Sequence, residues 1–192
     1  MNLKGLLLEK KAAIVKKWFD LIIDNYPADA SDFLKRQKNR FSNPVGHTIL
    51  QGIDGLFDEI LHGIDSEKLF PFLNDIIKIK AVQDFFPSKA ISFVFLLKRA
   101  IREEMGSEIK KKQMSDELRL FEEQIDELAL LSFDIYMKCR ERIYEIKADE
   151  ARRMMFRLLQ RANLICDPEF NSGQEQESVP EAETVLTQKI KG

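Results

Sequence analysis

Cysteine, histidine and the carboxylates are the side chains with which this sequence could do chemistry, and their spacing argues against most of it. Cys139 stands in "MKCRER", between Lys138, Arg140 and Arg142. A cationic setting favours the thiolate and would suit redox sensing. The same position falls on an apolar helical stripe, so the expectation is a buried, inert thiol. Cys139 and Cys166 are too far apart for a CxxC site, and a disulfide scaffold would want more cysteines in a shorter chain. Both facts fit a reducing cytoplasm. Asp54, Asp58 and Glu59 recur at helical spacing in "GIDGLFDEIL"; one acidic face on one helix is ordinarily solvated. The glycines of that stretch lack the spacing of a phosphate loop and the strand before it, so they read as a close helix contact. With no HExxH, DxDxDG or nucleophile elbow in the chain, the expectation is that it is not an enzyme.

Composition narrows the partners. Thirty Lys and Arg face 32 Asp and Glu, a net charge of −2 over 192 residues, which favours neither nucleic acid nor an anionic membrane. The longest apolar stretch, Ala90 to Leu97, falls short of the roughly 20 residues of a membrane span. The run Leu6 to Leu8 is too short for the core of a signal peptide and is followed at once by charge. The expectation is a soluble cytoplasmic protein with no membrane span.

Helices must position whatever these residues do, since the chain has almost no strand signal. Leu3, Leu6, Leu7, Ile14, Trp18, Leu21 and Ile22 recur at helical spacing up to "NYP" and predict one helix. A short polar helix is expected over Ser31 to Arg40. Asn43 as cap and Pro44 at the first position start another, which ends near His62. Asp65 or Ser66 caps the next, reaching about Asp84. A fifth runs from about Pro87 to Met105, closed by Gly106. Its Ile91, Phe93, Val94, Phe95, Leu96 and Leu97 cover nearly the whole circumference, which predicts a helix sandwiched at the centre of the core.

The last helix starts near Ser115 and meets no breaker before Asp167 and Pro168. Some fifty residues at 1.5 Å each extend roughly 75 Å, against about 30 to 40 Å for a globule of this size. A first stripe, Leu118, Phe121, Ile125, Leu128, Ile135, Cys139 and Ile146, suits packing on the domain. After the polar "KADE" a second, heptad-like seam follows: Ala151, Met155, Leu158, Ala162 and Ile165, flanked by Arg152, Arg153, Arg157 and Arg161. The expected partner contact is Ala151, Arg152, Met155, Leu158, Ala162 and Ile165. Lys138 to Arg161 holds eight basic and four acidic side chains, whereas Asp167 to Gly192 holds six acidic and two basic and reads as a disordered acidic tail. The expected organisation is a helical domain over 1–147, a projecting helix end over 148–166 and the tail over 167–192.

Three stretches, "FSNPVGHTI", "KAVQDFFPSKAISFVFLLKRAI" and "FDIYMKCRERIYEIKADEARR", resemble the RsbRD N-terminal domain family over about Leu6 to Asn163. The resemblance implies an all-α, globin-like helical bundle with a long C-terminal helix. It also implies a mostly haem-free sensory domain that dimerises and feeds a STAS domain in a stress-signalling complex. About thirty residues follow Asn163, too few for a STAS domain, so the expectation is a standalone form to which the co-antagonist role does not carry over. A globin-like fold raises haem. The chain has only His47 and His62, and the segment from Pro87 to Met105, where a proximal ligand belongs, has no histidine. No cofactor is therefore expected, and His62 is the residue a haem-binding alternative would use. The functional expectation is a sensory or adaptor domain acting through protein contacts, as a homodimer and with a possible signalling partner. A haem or small-ligand binder and a basic-helix nucleic-acid binder are the alternatives.

Overall fold

The computed structural model describes residues 2–36, 41–83, 85–162 and 164, and among them every regular element is a helix. The order is α1 (Leu3–Glu9), α2 (Lys11–Ile23), α3 (Ala28–Arg36), α4 (Pro44–His62), α5 (Ser66–Val82), α6 (Pro87–Lys111) and α7 (Ser115–Arg161). The architecture is an all-α helical bundle with a long C-terminal helix. The chain divides into two units, residues 1–146 and 147–192.

Local chemistry accounts for the starts. Asn2 accepts from the Gly5 amide at 3.0 Å, Asn43 from the Gly46 amide at 2.8 Å, and Asp65 from the Glu67 amide at 3.1 Å, each satisfying a donor that the first turn leaves unpaired. The single N-terminal helix expected from the leucines is in fact α1 and α2, interrupted at Lys10. Both halves bury the same apolar face, so periodicity does not register the break.

In the first unit α2 packs on α6, and α4 packs on α5. Trp18 is fully buried and its indole N–H donates to the Phe93 carbonyl at 2.6 Å, tying α2 to α6. Helices α4 and α5 approach so closely that a Cβ on Gly52 would lie 2.7 Å from Ile76 Cδ1, and one on Gly55 would collide with the Phe72 ring. The glycines of "GIDG" are thus a helix contact, as their spacing suggested.

Helix α6 departs from expectation twice. It runs past Gly106 to Lys111, because Ile109 continues the buried face for one more turn. Its end is a Schellman closure: the Met114 amide bonds to Ile109 O and the Gln113 amide to Lys110 O, with Gln113 at φ 54° in the position usually given to glycine. The helix is also not buried all round. Ala90, Phe93, Val94, Leu97, Ala100 and Ile101 face the core, while Phe95 is 44% exposed and Ile91 and Leu96 are half-buried. Lys98 pairs with Asp126 at 2.6 Å and Arg102 with Glu122 at 2.6 Å, so the outer side of α6 is held to α7 by charge.

Helix α7 buries Phe121, Ile125, Leu128, Ala129, Ser132, Ile135 and Tyr136. The expected stripe holds that far. Cys139 is half-buried, and Ile146 is 54% exposed and not part of the core.

Candidate functional site

The histidine a haem alternative would need is used by its own helix. His62 is exposed at the end of α4, its Nδ1 2.7 Å from the Asp58 carbonyl, and Gly63 at φ 110° terminates the helix beside it. The carboxylates of the same helix are not simply solvated: Lys11 reaches Asp54 at 3.0 Å and Asp58 at 2.7 Å. Burial lowers the Lys11 pKa, and the hydrogen bonds to Asp58 and Asp54 outweigh it, leaving the ammonium above its usual value. Among the described residues no group of three or more His, Cys, Asp or Glu is placed to hold a metal ion.

Cys139 behaves as an apolar position. Burial pushes its thiol pKa up, with only the Lys78 ammonium opposing. The opposing charge comes from Lys78 of α5, across from the thiol, rather than from the basic neighbours in sequence.

What the sequence does not announce is the groove in which Cys139 sits. Helix α7 is fastened to the C-terminal end of α5, where Arg140 donates to the Ala81 carbonyl at 3.1 Å, and to the connection after it, where Tyr136 donates to the Phe85 carbonyl. Beside these anchors the helices leave an open cavity of about 290 Å³. Its walls are Phe70, Ala81, Ile135, Cys139 and Ile143, and Lys78, Lys138 and Arg142 stand at its edge. Arg142 pairs with Glu145 at 3.1 Å; no ion pair holds Lys78 or Lys138 among the described residues. The spacing 70, 74, 78, 81 on α5 and 135, 139, 142 on α7 is legible as two helix faces, but only the fold shows that they confront each other.

A second feature escaped the sequence. Lys80 is 2% exposed, with its ammonium 4.9 Å from the Phe85 ring centroid, 5.3 Å from Tyr26 and 5.8 Å from Phe93. Burial pulls its pKa down to about 8 and raises that of Tyr26 to about 12. The aromatic faces supply part of what the lost water did.

Exposed apolar side chains gather on α7. In the first unit Leu130 is 71% exposed, and Phe133, Met137 and Tyr144 are exposed at helical spacing after it. In the second unit Ala151, Arg152 and Ala162 are exposed, Met155 is 63% and Leu158 62% exposed, and Met154 joins them. Ile165, the last residue of the expected contact, lies outside the described residues, as do Cys166 and the acidic tail.

The family described as the RsbT co-antagonist protein rsbRD N-terminal domain matches residues 12–160, from α2 nearly to the end of α7. The chain belongs to that family. The matched span takes in the groove and the exposed apolar residues of α7 from Leu130 to Leu158. No curated protein and no solved structure matches the chain. No described helix is long and apolar enough to cross a membrane.

Proposed function

We propose that the chain is a non-enzymatic sensory or adaptor domain of cytoplasmic stress signalling, which acts through protein contacts as a homodimer joined along α7. The observation that carries this reading is the run of large apolar side chains left in solvent on one helix, with Met155 and Leu158 more than half exposed. Scattered apolar residues on a surface need no explanation, but a row at helical spacing marks a contact. Methionine and leucine suit such a surface because they repack against different shapes. Arg152, Arg153, Arg157 and Arg161 border the row and would set its register against acidic groups of the partner. The family supports the signalling part of the reading, since it is that of the N-terminal domain of an RsbT co-antagonist protein.

Sedimentation equilibrium of the full chain over a wide concentration range tests the proposal. The expected result is a reversible approach to twice the 22.4 kDa chain mass. A species that stays monomeric at every concentration would contradict it.

A further inference from the structure

The groove between α5 and α7 has a composition that neither a core defect nor a solvated surface requires. Its walls are apolar, yet every charged side chain that lines it is a cation: Lys78 from α5, Lys138 and Arg142 from α7. An apolar trough in which ionisable side chains of one sign border a hydrocarbon wall complements a molecule with the opposite layout, an anionic head on an apolar chain. At about 290 Å³ it stands at the lower end of small-molecule sites. Two of its cations have no ion pair among the described residues, so an incoming anion would not first have to break one. A lysine bordering a hydrophobic trough can keep its stem on the apolar wall and carry its ammonium to the head group.

We propose that this groove binds a free single-chain amphiphile with a carboxylate head, its chain against Phe70, Ile135 and Ile143 and its head between Lys78 and Lys138. The thiol of Cys139, inside the trough, is covered by the chain and reports occupancy. The proposal names the ligand class for the sensory reading and rests on that reading only for its biological purpose. Binding itself requires no dimer.

Decanoate below its micelle concentration is the probe, used on the full chain in a Cys166→Ser background so that alkylation by N-ethylmaleimide reports Cys139 alone. Decanoate is expected to slow alkylation several-fold, saturably, and to raise Tm with concentration as a native-state ligand must. Decanol and decyltrimethylammonium, equal in chain and different in head charge, are expected to protect at least tenfold less well. The double variant Lys78→Glu, Lys138→Glu is expected to lose decanoate protection while keeping its circular dichroism. Leu158→Asp, which addresses association through the second unit, is expected to keep protection, so that failure of the dimer and failure of the ligand site can be told apart. No protection by decanoate, equal protection by all three amphiphiles, or undiminished protection in the charge-reversed variant would each overturn the proposal. Displacement of decanoate only by an acidic helical peptide that binds more tightly in the same groove would also overturn it, by assigning the groove to a protein partner.

Discussion

Helices α6 and α7 are both long and heavily charged, and they end differently. Along α6 a buried residue recurs at every turn from Ala90 to Ile109, so the helix is held to the core for its whole length. Along α7 the buried set stops at Tyr136, and the described residues from Met137 to Arg161 are exposed or at most half-buried. The lesson lies in continuity. In α6 the charges of "KRAIREEMG" are interleaved with Ala100, Ile101 and Met105 on the inner face. In α7 the core-facing side continues after Tyr136 only through the half-buried Cys139 and Ile143 and ends at the exposed Ile146, while Met137 and Tyr144, seven positions apart, lie on another side. A helix is buried where its stripe persists; beyond that it offers a surface.

Breaking the buried side of this contrast should have the largest effect. Phe93→Ala removes a side chain that is almost wholly buried. It should cost about 3 to 5 kcal/mol in urea unfolding, from lost transfer energy and the cavity left behind. Leu158→Ala, on the exposed side, should stay within about 0.5 kcal/mol at concentrations where the chain is monomeric. A Phe93 effect below about 1 kcal/mol would erase the distinction between the two helices.

Lys80 offers the next largest effect, with the opposite sign. Its folded pKa of about 8 lies below the unfolded value near 10.5. The unfolded chain therefore binds a proton that the folded chain lacks between those values. This residue makes stability rise with pH across that window, and its full cost is present below pH 8. Lys80→Met should then stabilise the protein at pH 7 by up to about 3 kcal/mol, taking about 1.4 kcal/mol per pKa unit. It should also flatten the pH dependence between about 8 and 10.5. The neighbouring Tyr26 stays neutral there because its pKa is held near 12, and Arg140, bonded to the adjacent Ala81 carbonyl, stays charged. Chemical denaturation from pH 7 to 10.5 measures both; a destabilised variant would mean that the aromatic cage favours the cation more than burial opposes it.

Much of the bundle was legible because its signals are local. Asn43 before Pro44 marks the α4 start, and the glycines at 52 and 55 mark the contact with α5. The last helix is long because nothing interrupts it. The misreadings concern signals that are not local. Gly106 reads as the end of α6 because glycine is the usual closing residue, yet the closure is made by Gln113, in a conformation its side chain does not advertise. Phe95 looks like core by composition and is exposed because burial depends on what faces it. The groove was invisible for the same reason: Lys78 and Cys139 are 61 positions apart, and only the packing of α5 on α7 brings them together. Lys80 reads as one more surface lysine in "IIKIKAV" until three aromatic rings from separate parts of the chain surround it.

The smallest effect belongs to His62. Because its ring is exposed and bonded to its own helix, His62→Ala should change stability by no more than about 0.5 kcal/mol. The purified protein should also be colourless and stay apo when hemin is added. A stoichiometric complex with a sharp Soret band that His62→Ala abolishes would make α4 a cofactor-bearing helix.

Beyond its buried part α7 is proposed as a surface for association. Sedimentation velocity of Leu158→Asp beside the unaltered protein, with thermal melting of both, tests it most directly. The variant is expected to melt with the same cooperativity, since Leu158 is 62% exposed, and to sediment as a monomer, because association would bury an unpaired carboxylate. Unchanged association would contradict the account, and a lost cooperative transition would show that this end of the helix belongs to the folding core.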